Sequence, residues 1–207
     1  MSMIYRFDFS AHKELNGNFP QHVLLTGQQF NNPLLFSNLS QSVADLLTPT
    51  IDAQFRAELT LPEEFRDNLK ICCFIQRNGN SVRSDASLTR MATEIVVKKY
   101  KETSMSSIAV IVIGDDPMWA NVVFNDKIAK PSILTIKEDI SHPSQNSTDY
   151  QAFLTHGLNI EDDFALSQQY CDVVVNTAPF STFGWWISFL AKGKQVYYLD
   201  PAKIDVF

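Results

Sequence analysis

Asp172-Val173-Val174-Val175-Asn176-Thr177-Ala178-Pro179-Phe180-Ser181-Thr182-Phe183-Gly184-Trp185-Trp186 runs from a short β-branched stretch through small hydroxyl residues into an apolar segment that continues to Ala191. The pattern predicts a buried strand over 172–175 and a helix over 183–191, capped by Ser181 or Thr182. Hydroxyls and backbone N–H groups gathered at the positive end of a helix form a site for a phosphate or another anion. The same groups also serve as a plain helix cap, and both readings stand at this point. Phe183, Trp185 and Trp186, just inside the helix, anchor it against the sheet.

Outward from this stretch the chain alternates strand and helix. Residues 71–75 are a continuous apolar run, residues 88–100 carry Met91, Ile95, Val96 and Tyr100 at helical spacing, and residues 108–113 are an almost purely β-branched strand ending at Gly114-Asp115-Asp116-Pro117. A short helix is expected over 117–124, with Asp116 as N-cap and Pro117 at the first helical position. Then come a strand over 132–136, a polar loop over 142–147, an acid-started helix over 161–169, and a final strand over 195–199. Strands apolar on both faces and separated by helices imply a parallel sheet covered on both sides, the doubly wound α/β class. Residues 1–66 are less regular. A helix is expected over 33–47, and Pro49 and Pro62 punctuate the residues after it, so this part reads as a helical N-terminal region, the remnant of a second lobe; residues 67–207 form the Rossmann-like domain.

At 207 residues, 45% hydrophobic and 19% charged, the chain can bury a large core. A formal charge of −6 and no Lys/Arg cluster disfavour nucleic acid as a partner. No apolar run approaches the roughly 18 residues that span a bilayer, and residues 1–15 mix charges among hydrophobes, so neither anchor nor signal peptide is visible. Cys72 and Cys73 are adjacent on a strand and face opposite ways, and Cys171 can meet at most one of them; the expectation is three buried thiols, with no disulfide and no zinc. Two sequons, Asn38-Leu39-Ser40 and Asn146-Ser147-Thr148, matter only in the secretory pathway.

In open parallel sheets ligands bind beyond the carboxyl ends of the strands. Residues 76–80, 114–116 and 176–182 all sit there and should converge on one crevice, with Arg77, Asp115 and Ser181 around a single pocket. No dinucleotide Gly-x-Gly-x-x-Gly turn, P-loop or Gly-x-Ser-x-Gly elbow is present. An arginine beside a helix N-terminus fits a nucleotide diphosphate. Asp115 and Asp116 also read as a turn and an N-cap, and Asp163 as a complement to the helix dipole. None of the four histidines has a paired acid at catalytic spacing.

Gly114-Asp115-Asp116-Pro117-Met118-Trp119 with Phe124, Asp163-Phe164-Ala165-Leu166 leading to Cys171-Asp172, and Thr182-Phe183-Gly184-Trp185-Trp186 with Gly193-Lys194-Gln195-Val196-Tyr197-Tyr198 resemble, in order and spacing, the C-terminal half of α-1,2-fucosyltransferases, with the nematode branch closest in wording. The resemblance runs from about residue 69 to residue 200. It implies a GT-B-like fold, GDP-fucose as donor, a β-galactoside acceptor, inversion at the anomeric carbon with no cofactor or obligatory metal, and residence in the Golgi or another secretory-pathway membrane through a stem absent from this chain. In the family the first arginine of a His-x-Arg-Arg-Gly-Asp motif serves the donor phosphate, so here Arg77 is the catalytic candidate that would carry the phosphate in its place. The resemblance puts Asp163 near the nucleotide, and with the crevice reading the donor-binding candidates are Gln76, Asp115, Asp116, Asp163, Ser181, Thr182 and Phe183. The family's His-x-Arg-Arg-Gly-Asp motif reads here Phe74-Ile75-Gln76-Arg77-Asn78-Gly79-Asn80: Phe74 stands at the histidine, Gln76 at the first arginine, and only Arg77 matches. The family's N-terminal Gly-x-Gly-Asn-Gln is absent. Two functions are compatible with these residues: an active fucosyltransferase, or a non-catalytic relative that keeps the fold and binds nucleotide or glycan.

Overall fold

The computed structural model describes residues 4–8, 40–79, 83–104, 106–128, 149–156, 158–193 and 195–199. In chain order the elements are β1 (Ile4–Asp8), α1 (Ser40–Leu46), α2 (Ile51–Thr60), a 3-10 turn (Glu63–Phe65), β2 (Leu69–Ile75), α3 (Ala86–Thr103) and β3 (Ile108–Gly114). They continue with α4 (Pro117–Phe124), β4 (Gln151–Leu154), α5 (Ile160–Tyr170), β5 (Val173–Asn176), α6 (Thr182–Leu190) and β6 (Gln195–Leu199). The strands form one sheet in the order β1-β6-β5-β2-β3-β4, parallel except for β1, which runs antiparallel to β6. This is the α/β architecture that the alternation predicts.

Both faces are covered. Cys72, Phe74, Ile111, Ile113 and Val174 point to one side, into a core completed by α2, α5 and α6. Ile71, Cys73, Ile75, Val110, Val112 and Val175 point to the other, against α3 and α4. The period of two along a strand thus serves two cores, which is why these strands are apolar throughout. Asp116 caps α4 by accepting from Trp119 N at 2.9 Å with Pro117 at the first position, and Ser181 caps α6 by accepting from Gly184 N at 3.0 Å. Gly184 lets α6 reach the sheet: a Cβ there would lie 2.5 Å from the Phe74 ring.

Two findings depart from the sequence reading, the unexpected strands and a disulfide. β1 and β4 were not expected, because one is an edge strand and the other has four residues with only two buried. The expected strand over 132–136, the expected loop over 142–147 and residues 33–39 of the expected N-terminal helix lie outside the described residues. Finally, Cys72 and Cys171 form a disulfide, correcting the expectation of three thiols, and Cys73 alone is free. The cause is strand order: β5 lies beside β2, with Ile71 opposite Val173, and Cys171 at the end of α5 therefore arrives next to Cys72. Cys73 faces the other core, where burial pushes its thiol up to about 12. Among the described residues no helix is long and apolar enough to cross a membrane.

Residues 40–66 pack onto α5. Arg56 grips Asp162 through Nε and Nη2 at 2.9 and 2.7 Å, Thr50 N donates to Glu161 Oε1 at 3.1 Å, and Gln169 donates to Gln54 at 3.2 Å.

Candidate functional site

The strand order reverses between β2 and β5, the position where open α/β sheets bind ligands. At the carboxyl edge there, a cleft of about 710 Å³ is walled by Phe74, Gln76, Gly114, Asp115, Leu158, Ile160, Glu161, Asp163, Ser181 and Phe183, among others. A buried hydroxyl network holds the backbone of two of these residues, Phe74 and Gln76. Thr177 Oγ1 donates to Phe74 O at 2.9 Å and meets Ser84 Oγ at 3.0 Å, while Gln76 N donates to Ser84 Oγ at 3.0 Å. These bonds tie the turn after β5 to the loop after β2.

Of the residues singled out by sequence, Gln76, Asp115, Asp163, Ser181 and Phe183 line this cleft. Asp115 accepts from Arg77 N at 2.7 Å and Asn78 N at 2.9 Å, and so fixes the backbone of the loop after β2. Phe183 packs edge-on to Phe74 with ring centroids 5.7 Å apart. Asp116 is occupied as the α4 cap, and Thr182 opens α6 on its exposed side. Arg77 is not on the lining. Its guanidinium lies 4.8 Å over the Trp119 ring and donates from Nη1 to Ser84 O at 2.7 Å, on the α4 side of the sheet. The pocket expected around Arg77, Asp115 and Ser181 together therefore encloses the last two only.

Asp163 is the most perturbed acid of the site. It is 8% exposed, its Oδ1 has no hydrogen-bond partner, and burial, with Asp162 adding to it, pushes its carboxyl up to about 7. Gln76 Oε1 is likewise buried without a partner, while its Nε2 donates to Asn78 O at 3.1 Å. Two acceptors, two phenylalanines and the aliphatic Leu158 and Ile160 suit a flat ligand that presents hydrogen-bond donors. The lining residues include three carboxylates, Asp115, Glu161 and Asp163, and no lysine or arginine. Among the described residues no group of three or more His, Cys, Asp or Glu is gathered as a metal site.

Leu158, Asn159, Ile160 and Glu161 were missed as lining residues. They belong to the N-terminal turn of α5, and that turn reaches the carboxyl edge only because β4 precedes it. Without β4 the acidic start of α5 reads as dipole chemistry alone.

No protein-family model matches the chain. It is 38% identical over 190 residues to a galactoside 2-α-L-fucosyltransferase of Caenorhabditis elegans, matching 87% of this chain and 47% of that protein. A second C. elegans protein of the same name is 27% identical, over 88% of this chain and 47% of its own length. The chain spans about half the length of the curated relatives it matches. Among solved structures, NodZ α-1,6-fucosyltransferase soaked with GDP-fucose overlays with a TM-score of 0.37 at 15% identity, covering 69% of this chain and 42% of that one.

Proposed function

We infer that this chain, which belongs to the galactoside 2-α-L-fucosyltransferase family, carries the donor half of an enzyme that moves L-fucose from GDP-fucose to the 2-hydroxyl of a β-galactoside. The observation that carries the reading is the cleft at the sheet's switch point, with its unpartnered acceptor on Asp163. In this reading the cleft takes the guanine base. The Asp163 carboxylate accepts from the donor edge of the base, and Phe74 and Phe183 shape an apolar wall. Three carboxylates repel phosphate, so the diphosphate lies at the mouth, toward the first turn of α6.

Arg77 serves the leaving diphosphate by turning away from Trp119. The contacts it gives up are a cation–π contact of about 0.5–1 kcal/mol and a bond from the charged guanidinium to Ser84 O of about 1.5–3 kcal/mol, so the exchange is driven by the charge of the diphosphate. A charge-assisted bond to phosphate contributes about 1.5–3 kcal/mol in return, and more as charge develops on the departing GDP. The acceptor hydroxyl attacks the anomeric carbon from the face opposite the leaving group, with inversion. We propose that no divalent metal is needed, so EDTA leaves the rate unchanged. The buried disulfide supports maturation in an oxidising lumen, and on that ground we place the enzyme in the Golgi or another secretory-pathway compartment.

The test is transfer itself. Incubation with radiolabelled GDP-fucose and a β-galactoside should give a product whose linkage is α-1,2 by NMR, and Arg77→Ala should reduce turnover by at least about a hundredfold. Donor hydrolysis without transfer, or full activity in Arg77→Ala, would refute the assignment.

A further inference from the structure

Asp162 and Asp163 are neighbours in the first turn of α5, and both are buried, at 3% and 8% exposure. They have different surroundings. Asp162 accepts two hydrogen bonds from Arg56 of α2 and completes a capping box with Asn159, accepting from Asn159 N at 3.4 Å. Asp163 has an oxygen with no partner and lines the cleft. Two adjacent buried carboxyls do not both ionise freely, and the neighbour holding a cation keeps its charge.

We propose that Arg56, which lies outside the cleft, is a positioning residue: through Asp162 it fixes the first turn of α5 and makes Asp163 the one buried carboxyl that exchanges its proton when a ligand enters. The proposal rests on the nucleotide reading of the cleft for its ligand but not for its geometry. The Arg56 guanidinium holds Asp162 below the ordinary carboxylate range, whereas Asp163 stands well above it.

The other groups around Asp163 leave this division in place. From its own turn comes Glu161, held low by its bond to Thr50. The β3–α4 turn contributes Asp115, committed to two backbone N–H groups. The loop after β2 offers the neutral Gln76, with Arg77 directed at Trp119, and α6 contributes the uncharged Ser181. His156, at the end of β4, is exposed. Among the described residues, Arg56 is thus the cation joined by hydrogen bonds to this acidic turn.

The ionised form of Asp163 accepts from a donor-bearing base, so GDP affinity should rise with pH through the Asp163 midpoint. Asp163→Asn supplies the profile of GDP's own ionisation, to be subtracted. Carbon-13 NMR titration of the Asp163 carboxyl, assigned by loss of its signal in Asp163→Asn, reads the same proton without ligand. Arg56→Gln should raise the midpoint by at least about half a unit, which lowers GDP affinity severalfold below the midpoint and leaves it within about twofold at pH 8.5. Asp162→Asn should lower the midpoint, and Arg56→Gln/Asp162→Asn should match Asp162→Asn alone. Arg56→Lys should restore the midpoint in part.

An unmoved midpoint in Arg56→Gln, an affinity loss equal at every pH, or additive effects in the double variant would overturn the proposal. Failure of the wild-type chain to bind GDP at any pH would instead refute the nucleotide reading, while the NMR midpoints still decide the role of Arg56.

Discussion

At the residue scale, the burial that suits Asp163 to a ligand works against the unliganded fold. Its carboxyl stands at about 7 in the folded chain against an ordinary value of 3.8. Between those values the folded state holds the extra proton, so stability falls as pH rises and stays reduced above the upper value. Asp163→Asn removes this dependence. Relative to wild type it should gain stability on the order of 2–4 kcal/mol between pH 4 and pH 8, read from urea midpoints at both pH values; equal pH dependence in the two proteins would show that the group is not buried as described. Gly184 makes the complementary point about packing. Gly184→Ala places a methyl group 2.5 Å from the Phe74 ring, so it should destabilise the chain by about 1–3 kcal/mol and weaken ligand binding through a displaced α6. An unchanged melting temperature would sink that expectation. Ser181 and Asp116 were legible from sequence because capping is local chemistry. The course of the Arg77 side chain was not, since it depends on Trp119, which another strand–helix connection brings alongside.

At the element scale, α5 is held at both ends. Its first turn is tied to α2 by Arg56 and Thr50, and Cys171, at its C-terminal cap, is bonded to Cys72 on β2. A crosslink between residues 99 apart constrains a long loop of the unfolded chain and contributes about 2–4 kcal/mol. Thiol titration of the denatured chain without reductant should therefore find one group, Cys73, and three after reduction; three without reductant would contradict the bond. The strands with continuous apolar runs, β2, β3 and β5, could be read directly, as could α4 from its Asp-Pro start. β4 could not, because four residues with partial burial carry too little periodicity, and its absence hid the approach of α5 to the cleft. The disulfide was hidden for a related reason. Spacing in sequence says nothing of β5 lying beside β2, a pairing made across the whole β3–β4 half of the sheet.

At the scale of the whole molecule, the order β6-β5-β2-β3-β4 carries the chain from β2 out to β4 on one side and from β5 out to β6 on the other, and the cleft opens at that reversal. The alternation of strands and helices was sufficient to place the edge that carries the cleft, because every parallel strand delivers its carboxyl end to the same side. It could not rank the residues on that edge. Gln76, Asp163 and Phe183 face the cleft while Arg77 turns to α4, and only packing on the two faces separates them. The central claim is that this edge binds a guanine nucleotide, and the measurement that meets it most directly is isothermal titration calorimetry of the folded chain with GDP and GDP-fucose at about pH 8, where Asp163 is mainly ionised. The account predicts one site per chain for each ligand, with affinity at least about tenfold weaker in Asp163→Asn after loss of the charge-assisted acceptor. Absence of binding heat at millimolar GDP, or binding that Asp163→Asn leaves untouched, would contradict it.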